Sequence, residues 1–332
     1  MGLFPIFLRA SAILLLWLAA AACNSEAASA PRDWAREWPA TDFSQSSVEW
    51  SEITEGGPRR DDIRSIDRPA FVPLGRSYPL RLGPREPVIS VSLRGEARAY
   101  PLRILTRHEI VNDRIGDVPI AVTYCPLCNS AVVFDRRLDG RVLEFGTTGK
   151  LRHSDLVMYD RQTESWWQQL VGEAIVGELA GQRLRALPTR VESLSRFRAR
   201  FPGGKLLLPP IATAGFYENP YVRYDSRKRP FPFYTGTLPE GIEPMAHVVA
   251  VGDRAWTLRS LARRDRIEEQ GLILTWSSGQ NSALDARDMA EGRDIGNVVV
   301  QRRTERGLED VPYDVTFAFA FHAFRRNAPI FD

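Results

Sequence analysis

The chain has 332 residues, of which 44% are apolar and 26% charged, and its formal net charge is +3. This composition excludes a disordered polymer, a collagen and a small disulfide-rich protein, and it predicts a globular chain. Only three of the 44 basic residues are lysines, so a lysine-dependent mechanism has few candidates. A net charge this small over this length also argues against a nucleic-acid partner.

The first 22 residues have the features of an export signal. Arg9 precedes an apolar run over residues 11–22, which is shorter than the roughly 20 residues that a membrane-spanning helix needs. The run ends in three alanines and Cys23, which resembles the lipobox of bacterial lipoproteins, although Ala20 stands where leucine is commoner. We therefore predict a signal peptide over residues 1–22 and a lipid-modified Cys23. Ordinary secretory cleavage nearby and an uncleaved anchor are the alternatives.

Lipidation at Cys23 predicts a location outside the cytoplasm. The expected partner is a membrane, with acyl chains as the anchor and the folded part in water on the periplasmic side. Asn24 stands where an aspartate would favour retention in the inner membrane, so the outer membrane is favoured. Residues 23–58 show little periodicity and are predicted to form a lipid-anchored tether. A single β-rich domain is predicted over residues 59–332.

Short strand-like segments separated by turns dominate this domain. Residues 88–100 predict a hairpin, and the Asp139-Gly140 turn predicts another. The capping box formed by Thr189 and Glu192 predicts the start of one helix. The fold class is therefore predicted to be α+β and predominantly β, with antiparallel strands and hairpins and a few short helices.

Two pairs of segments repeat in the same order along the chain. The similar segments are residues 88–102 with 248–258, and residues 123–131 with 275–283. They predict an internal duplication with halves over about 88–205 and 245–330. In this alignment Ser277 and Gln280 take the positions of the two cysteines, so the chemistry is expected in the first half. Chance similarity between short β segments is the alternative.

The pair Cys125 and Cys128 is the sharpest local feature. A Cys-x-x-Cys pair brings two sulfurs within reach of one metal ion or of each other. A structural disulfide would close too small a loop to stabilise the fold much. A c-type haem is disfavoured because Asn129 stands in place of the required histidine. The β-branched residues that follow predict a strand, which favours the turn of a zinc knuckle over a thioredoxin-like redox pair.

A zinc knuckle supplies two ligands, so further ligands must come from histidine or carboxylate. His108 is the first choice, either as a metal ligand or as an acid/base, and a histidine that satisfies a helix end is the alternative. The predicted metal ligands are Cys125, Cys128 and His108. The predicted catalytic residues are His108, Glu109 and Asp113. His153 is a second candidate ligand, whereas His322 is expected in the core and His247 has no supporting context.

Polar and aromatic residues are dense between residues 146 and 168. They predict a ligand pocket lined by Asp155, Tyr159, Asp160, Glu164 and Trp166. The same alternation of polar and apolar residues also fits an ordinary half-buried strand. The Gly-Thr-Thr-Gly turn at residues 146–149 lacks the length and the lysine of a phosphate loop, so no nucleotide is predicted.

Several segments together resemble one bacterial and archaeal family, catalogued as domain of unknown function number thirty-one seventy-nine. They are RAYPL at 98–102, HEIVND at 108–113, TYCPLC at 123–128, DLVMYDR at 155–161 and TESW at 163–166. The resemblance covers roughly residues 55–330. It implies an exported or membrane-attached protein but no established activity. The chain departs from the family pattern at Asn129, where a small residue is common, and at His153, which weakens that histidine as a ligand.

The resemblance also supports treating the matching polar residues as one site. These residues are His108, Glu109, Asn112, Asp113, Cys125 and Cys128. The leading hypothesis is an exported lipoprotein whose Cys-x-x-Cys plus His site binds copper or zinc. The alternatives are a thiol-disulfide oxidoreductase that uses the cysteine pair, and a ligand-binding module in which the pair forms a passive disulfide. The sequence leaves open whether the protein is an enzyme.

Overall fold

The structure, a computed structural model, describes residues 1–2, 31–211 and 213–332. Cys23 and all but the first two residues of the predicted signal peptide lie outside the described residues. Within the described part, none of the helices has the length and hydropathy needed to cross a membrane. The α-helices are α1 (Arg32–Glu37), α2 (Leu102–His108), α3 (Leu194–Arg200), α4 (Leu258–Arg264) and α5 (Ala318–Phe324).

The strands account for most of the regular structure. They are β1 (Ile53–Glu55), β2 (Phe71–Pro73), β3 (Pro87–Leu93), β4 (Glu96–Pro101), β5 (Ile110–Ile115), β6 (Val118–Cys125), β7 (Ser130–Asp135), β8 (Arg137–Leu138), β9 (Arg141–Val142), β10 (Phe145–Arg152), β11 (Asp155–Asp160), β12 (Trp166–Gln168), β13 (Glu173–Val176), β14 (Arg185–Ala186), β15 (Arg190–Ser193), β16 (Lys205–Leu207), β17 (His247–Val251), β18 (Arg254–Thr257), β19 (Arg266–Glu269), β20 (Leu272–Ser277), β21 (Asn297–Thr304), β22 (Gly307–Asp310), β23 (Asp314–Phe317) and β24 (Ile330–Phe331).

These strands form five sheets of four or five strands and one two-stranded ribbon, β8-β9. The orders are β1-β10-β11-β12-β13, β14-β7-β6-β5, β15-β3-β4-β16-β2, β23-β17-β18-β24 and β19-β20-β21-β22. The named strands pair antiparallel except for β4 with β16 and β18 with β24. The predicted class, predominantly β with a few short helices, is confirmed, and the repeated sheets give a propeller-like arrangement.

The largest hydrophobic core surrounds β6, in which all eight residues are buried. Successive side chains of a strand point to opposite faces of the sheet, so both faces of β6 must be covered. Its neighbours β5 and β7 pair along its two edges, and α2 packs against it. The strand that ends at Cys125 is therefore enclosed on every side.

The two halves of the chain repeat one order of elements. The first half has β3, β4, α2, β5 and β6 in succession, and the second has β17, β18, α4, β19 and β20. Later, β15 and β16 flank α3 and pair with β3 and β4, just as β23 and β24 flank α5 and pair with β17 and β18. The predicted duplication is therefore confirmed as a repeated pairing scheme. Cys125 and Ser277 occupy the same place, each at the end of the second strand after the helix.

The helix predicted from the capping box begins later than expected. Residues Arg190–Ser193 form β15, and their pairing with β3 keeps the backbone extended. Glu192 binds Arg200 instead of a backbone N–H, and α3 starts at Leu194. The capping-box prediction was wrong because sheet pairing outweighed the local helix signal.

Residues 31–58, here called the N-terminal segment, pack onto the sheets instead of forming a free tether. Strand β1 pairs with β10, and the buried ring of Trp38 lies 5.5 Å from that of Trp166. Lys150 Nζ binds Glu37 at 2.9 Å. The docking could not be predicted from periodicity, which the segment lacks. Its tryptophans drive the docking, because they bury large apolar surfaces. The fold thus extends before residue 59.

Candidate functional site

Cys125 is the last residue of β6 and Cys128 lies in the turn that leads to β7, so the pair lies at a hairpin turn as its sequence context predicts. Asn129, with a φ of 53°, directs the chain into β7. Both cysteines are free thiols, with exposed fractions of 2% and 0%. The second half of the chain holds the turn, because the carbonyl of Cys128 accepts hydrogen bonds from Phe317 N at 3.1 Å and Thr316 Oγ1 at 2.7 Å. The two sulfurs are thus fixed in place and shielded from solvent.

A second hairpin turn brings a carboxylate to the thiols. His153 and Ser154 connect β10 to β11 with φ values of 52° and 65°, as consecutive left-handed residues of a tight turn. The Ser154 carbonyl oxygen lies 3.4 Å from Cys128 Sγ and 3.7 Å from Cys125 Sγ. Asp155 opens β11, and a carboxylate oxygen lies within 4.8 Å of both sulfurs. We call Cys125, Cys128 and Asp155 the thiol-carboxylate cluster.

The Asp155 carboxylate is fully buried and only half satisfied. Its Oδ2 accepts hydrogen bonds from Gln168 Nε2 at 2.5 Å and from the Leu170 N–H at 2.9 Å. Its Oδ1 and the Ser154 hydroxyl are buried without a partner among the described residues. A buried polar atom without a partner costs on the order of 1–3 kcal/mol. Such an atom beside two thiols is a candidate for contact with a ligand.

The surroundings of the cluster are acidic. Burial raises the pKa of Asp155 to about 7 and also raises the pKa of the Cys125 and Cys128 thiols. The nearby carboxyl of Asp314 acts in the same direction, and burial raises its own pKa to about 6. Within the part of the chain that the structure describes, no basic side chain forms a salt bridge with Asp155 or Asp314. Buried acidic groups without a basic partner favour the binding of a cation.

His108 does not join the cysteines, contrary to its predicted role as a metal ligand. Its Nδ1 donates a hydrogen bond to the Arg64 carbonyl at 2.8 Å, and its Nε2 lies 3.4 Å from the Tyr217 hydroxyl. Burial lowers the pKa of His108, which keeps the ring neutral. The residue ends α2, and the positive φ of Glu109 then turns the chain. His108 therefore fits the alternative, a histidine satisfied at a helix end.

Glu109 is the one predicted catalytic residue that lies beside the thiol-carboxylate cluster. Its backbone carbonyl accepts a hydrogen bond from the Tyr124 N–H at 2.8 Å, next to Cys125. Its side chain is 7% exposed and lines a cavity together with Leu127 from the cysteine turn. Burial and the charge of Asp155 raise the pKa of Glu109 to about 8. Neither a hydrogen bond nor a salt bridge to this carboxyl occurs within the described residues.

Asp113 forms a structural ion pair instead of an acid/base pair with Glu109. Both of its carboxylate oxygens lie 2.7 Å from Arg98 Nη1, and its Oδ2 accepts a hydrogen bond from Tyr100 at 2.5 Å. Arg98 also lies over the ring of Phe71. These contacts join β4 to β5 and leave Asp113 no free position for chemistry.

The residues predicted to line one ligand pocket separate in the structure. Asp155 belongs to the cluster, whereas the other four hold the N-terminal segment and the neighbouring hairpins. Their contacts are Tyr159 with Asp61 at 2.6 Å, Asp160 with Thr163 N at 2.7 Å and Trp167 Nε1 at 2.9 Å, Glu164 with Arg60 at 2.7 Å, and Trp166 with the rings of Trp34 and Trp38. The five residues therefore do not share one pocket, because Asp155 and Tyr159 lie at opposite ends of β11, roughly 13 Å apart, and Asp160 faces the other side of the sheet.

The sequence reasoning did not connect the Ser154 carbonyl and Asp155 with the cysteines. The missing signal was the turn at residues 153–154, where two consecutive non-glycine residues adopt positive φ. His153 was predicted as a second candidate metal ligand. Its Nε2 lies 3.7 Å from Glu52 Oε2, and the residue is outside the thiol-carboxylate cluster. The other residues missed are Tyr221, Phe231 and Phe233, which line the Glu109 cavity.

Metal-free protein is expected to lose stability as the pH rises from 4.5, the ordinary pKa of a glutamate, to about 8, the pKa of the buried Glu109 carboxyl. The folded chain holds the Glu109 proton more tightly than the unfolded chain, because burial raises the folded pKa. This contribution is complete below the unfolded pKa and is lost as the pH rises through the folded pKa, with a slope of at most about 1.4 kcal/mol per pH unit. Urea denaturation at about pH 5 and pH 8 measures the difference.

The Glu109→Gln variant should show a smaller decrease, with the remainder due to Asp155 and Asp314, whose pKa values are raised in the same direction. Glu178→Gln is the control, because Glu178 is half exposed and pairs with Arg141 at the surface. An unchanged slope in Glu109→Gln would contradict the assignment.

Comparison with known proteins identifies the family. A family model described as protein of unknown function (DUF3179) matches residues 60–328. No curated protein and no solved structure matches the chain. The matched range includes the thiol-carboxylate cluster, Glu109 and both halves of the duplication. The chain therefore belongs to this family of proteins of unknown function.

Proposed function

We propose that the thiol-carboxylate cluster binds a single metal ion, with zinc favoured over copper. The observation that carries this proposal is the convergence of two thiols and a partly unpartnered carboxylate within 4.8 Å in a fully buried, acidic environment. Thiolate sulfur and carboxylate oxygen are both common zinc ligands. Bound metal would supply the positive charge that the surrounding side chains lack.

The Ser154 carbonyl supplies a fourth ligand in this proposal. A tetrahedral site with Zn–S of about 2.3 Å and Zn–O of about 2.1 Å has sulfur-to-oxygen edges of about 3.6 Å. The Ser154 carbonyl lies 3.4 and 3.7 Å from the two sulfurs. Two oxygen ligands beside two thiolates suit zinc better than copper(I), which prefers soft ligands. The site would then be closed, as structural zinc sites are.

Thiol-disulfide exchange is less well supported by the same features. Exchange requires an accessible thiolate, and a helix N-terminus often lowers the pKa of the attacking thiol. Here Cys125 and Cys128 are 2% and 0% exposed, they lie in a turn between strands, and burial raises the pKa of each. A passive disulfide is also less well supported, because both cysteines are free thiols.

Elemental analysis tests the metal proposal. The parent protein, made in an exporting host and purified without chelators, is expected to hold about one metal ion per chain, whereas the Cys125→Ser, Cys128→Ser variant holds none. Asp155→Asn is expected to weaken metal binding about tenfold or more without removing either sulfur. These variants would be compared with the parent by circular dichroism to establish folding.

His108→Asn is the matched control for this experiment. The sequence grouped His108 with the cysteines, but its contacts are with Arg64 and Tyr217. The variant is therefore expected to retain the metal. Absence of metal from the parent, or loss of metal on changing His108 but not Asp155, would overturn the proposal.

We also propose that the metal protein is exported and held on the periplasmic face of a membrane through lipid on Cys23. The support is the sequence pattern of the first 23 residues. The parent is expected in the membrane fraction of the expressing bacterium, and a Cys23→Ser variant in the soluble periplasmic fraction. Recovery of both proteins in the same fraction would contradict lipid anchoring.

A further inference from the structure

A cavity of about 140 Å³ is lined by residues next to the thiol-carboxylate cluster. Three of its wall residues adjoin the cluster along the chain or through the backbone. Leu127 precedes Cys128, Leu156 follows Asp155, and Glu109 is hydrogen-bonded through its carbonyl to Tyr124. The cluster residues themselves do not line this cavity, so it is a separate binding volume.

The walls of the cavity combine aromatic rings with one carboxyl group. Tyr221, Phe231 and Phe233 line it, together with apolar residues that include Leu127 and Leu156. Glu109 is the only acidic residue of the wall among the described residues. Its carboxyl is more than nine-tenths buried, and no described side chain donates a hydrogen bond to it. Three aromatic rings and a carboxylate are the components of sites that hold ammonium ions.

The one basic residue of the wall does not neutralise Glu109. Lys150 lines the cavity, but its ammonium group binds Glu37 at 2.9 Å and Glu55 at 3.1 Å, neither of which lines it. Glu109 also faces the charge of Asp155. A divalent ion in the cluster, held by two thiolates and a carboxylate, would still leave a net charge of −1 there. Once Glu109 is ionised, above about pH 8, the cavity is therefore electronegative with or without the metal.

We propose that this cavity binds a small alkylammonium ion, with Glu109 facing the positive charge and Tyr221, Phe231 and Phe233 contacting its methyl or methylene groups. A cavity of about 150 Å³ holds a molecule of the size of benzene, so the volume suits a cation of about five to seven non-hydrogen atoms. This binding site is additional to the metal site and does not require it.

Isothermal titration of the full folded protein with choline at about pH 9, where Glu109 is ionised, tests the proposal. The comparison ligand is 3,3-dimethylbutan-1-ol, which has the same shape but carbon in place of the charged nitrogen. Choline is expected to bind at least about tenfold more tightly, because the cation interacts with both the rings and the carboxylate. Equal affinity for the two ligands, or no binding of choline, would overturn the proposal.

Two variants assign the residues. Glu109→Gln keeps the shape of the side chain and is expected to weaken choline binding about tenfold while leaving the alcohol unaffected. Phe233→Leu keeps an apolar wall and is expected to weaken choline more than the alcohol. Glu178→Gln, at the surface, should match the parent. An unchanged choline affinity in Glu109→Gln would refute the assignment, and the metal content of the same samples independently tests the metal proposal.

Discussion

Replacing Asp113 with alanine is expected to lower the free energy of unfolding by about 3–5 kcal/mol, the range for breaking a buried ion pair. Asp113 is 6% exposed and pairs with Arg98, whose side chain is 13% exposed and whose other carboxylate partner, Glu96 at 2.8 Å, is more exposed. Its removal would leave the guanidinium largely buried without that partner, and the Tyr100 hydroxyl would lose its acceptor. Chemical denaturation of the parent and the variant measures this difference.

Asp117→Ala is the matched control for the Asp113 experiment. Asp117 lies just beyond β5, pairs with Arg94 at 3.2 Å, and both side chains are about two-thirds exposed. Solvent weakens such a pair, so its loss should have only a small effect on stability. Metal content should remain at the parental level in folded Asp113→Ala protein. Similar destabilisation by the two variants would show that the buried pair has no special role.

Trp166→Ala is expected to destabilise the protein by about 3–5 kcal/mol, as truncation of a large buried aromatic does. The ring is fully buried between Trp34, Trp38 and Phe43 of the N-terminal segment. Alanine would leave a cavity at the surface where this segment docks. We therefore expect faster proteolysis within residues 31–58 as well as a lower denaturation midpoint.

Trp50→Ala serves as the control for this second effect. Trp50 is only half-buried at the edge of the same aromatic cluster, where it contacts Trp34 and Phe43. Its truncation removes less contact with the sheet and should have a clearly smaller effect on stability. A parental denaturation midpoint and unchanged proteolysis in Trp166→Ala would show that the segment docks by other contacts.

Local sequence signals were sufficient for much of the fold. Alternating residues and turn signals identified the hairpins, including the Asp139-Gly140 turn between β8 and β9. The duplication was visible because Thr275 to Ala283 retains the pattern around the cysteines without a gap. The helices were harder to predict, since α2 to α5 each have seven residues, too few to show a clear periodicity.

The candidate site depended on contacts that local signals do not contain. The hairpin context of Cys125 and Cys128 was predictable, but their approach to Asp155 arises from packing between different sheets. His108 seemed nearer because it precedes the same strand pair along the chain. The positive φ of Glu109 turns the chain after α2, and the His108 side chain contacts Arg64 and Tyr217 instead of the cysteines. Sequence spacing therefore could not identify the third member of the thiol-carboxylate cluster.

Gly56 and Pro58 belong both to the N-terminal segment and to the wall of the Glu109 cavity. The Gly56 N–H binds the Gly149 carbonyl at 2.8 Å, and a Cβ on Gly149 would meet the Pro58 carbonyl at 2.0 Å. Local unfolding of this stretch would therefore dismantle part of the cavity. By thermodynamic linkage, a molecule that requires the intact wall must suppress that opening, and native-state hydrogen exchange at Gly56 would then slow in proportion to cavity occupancy.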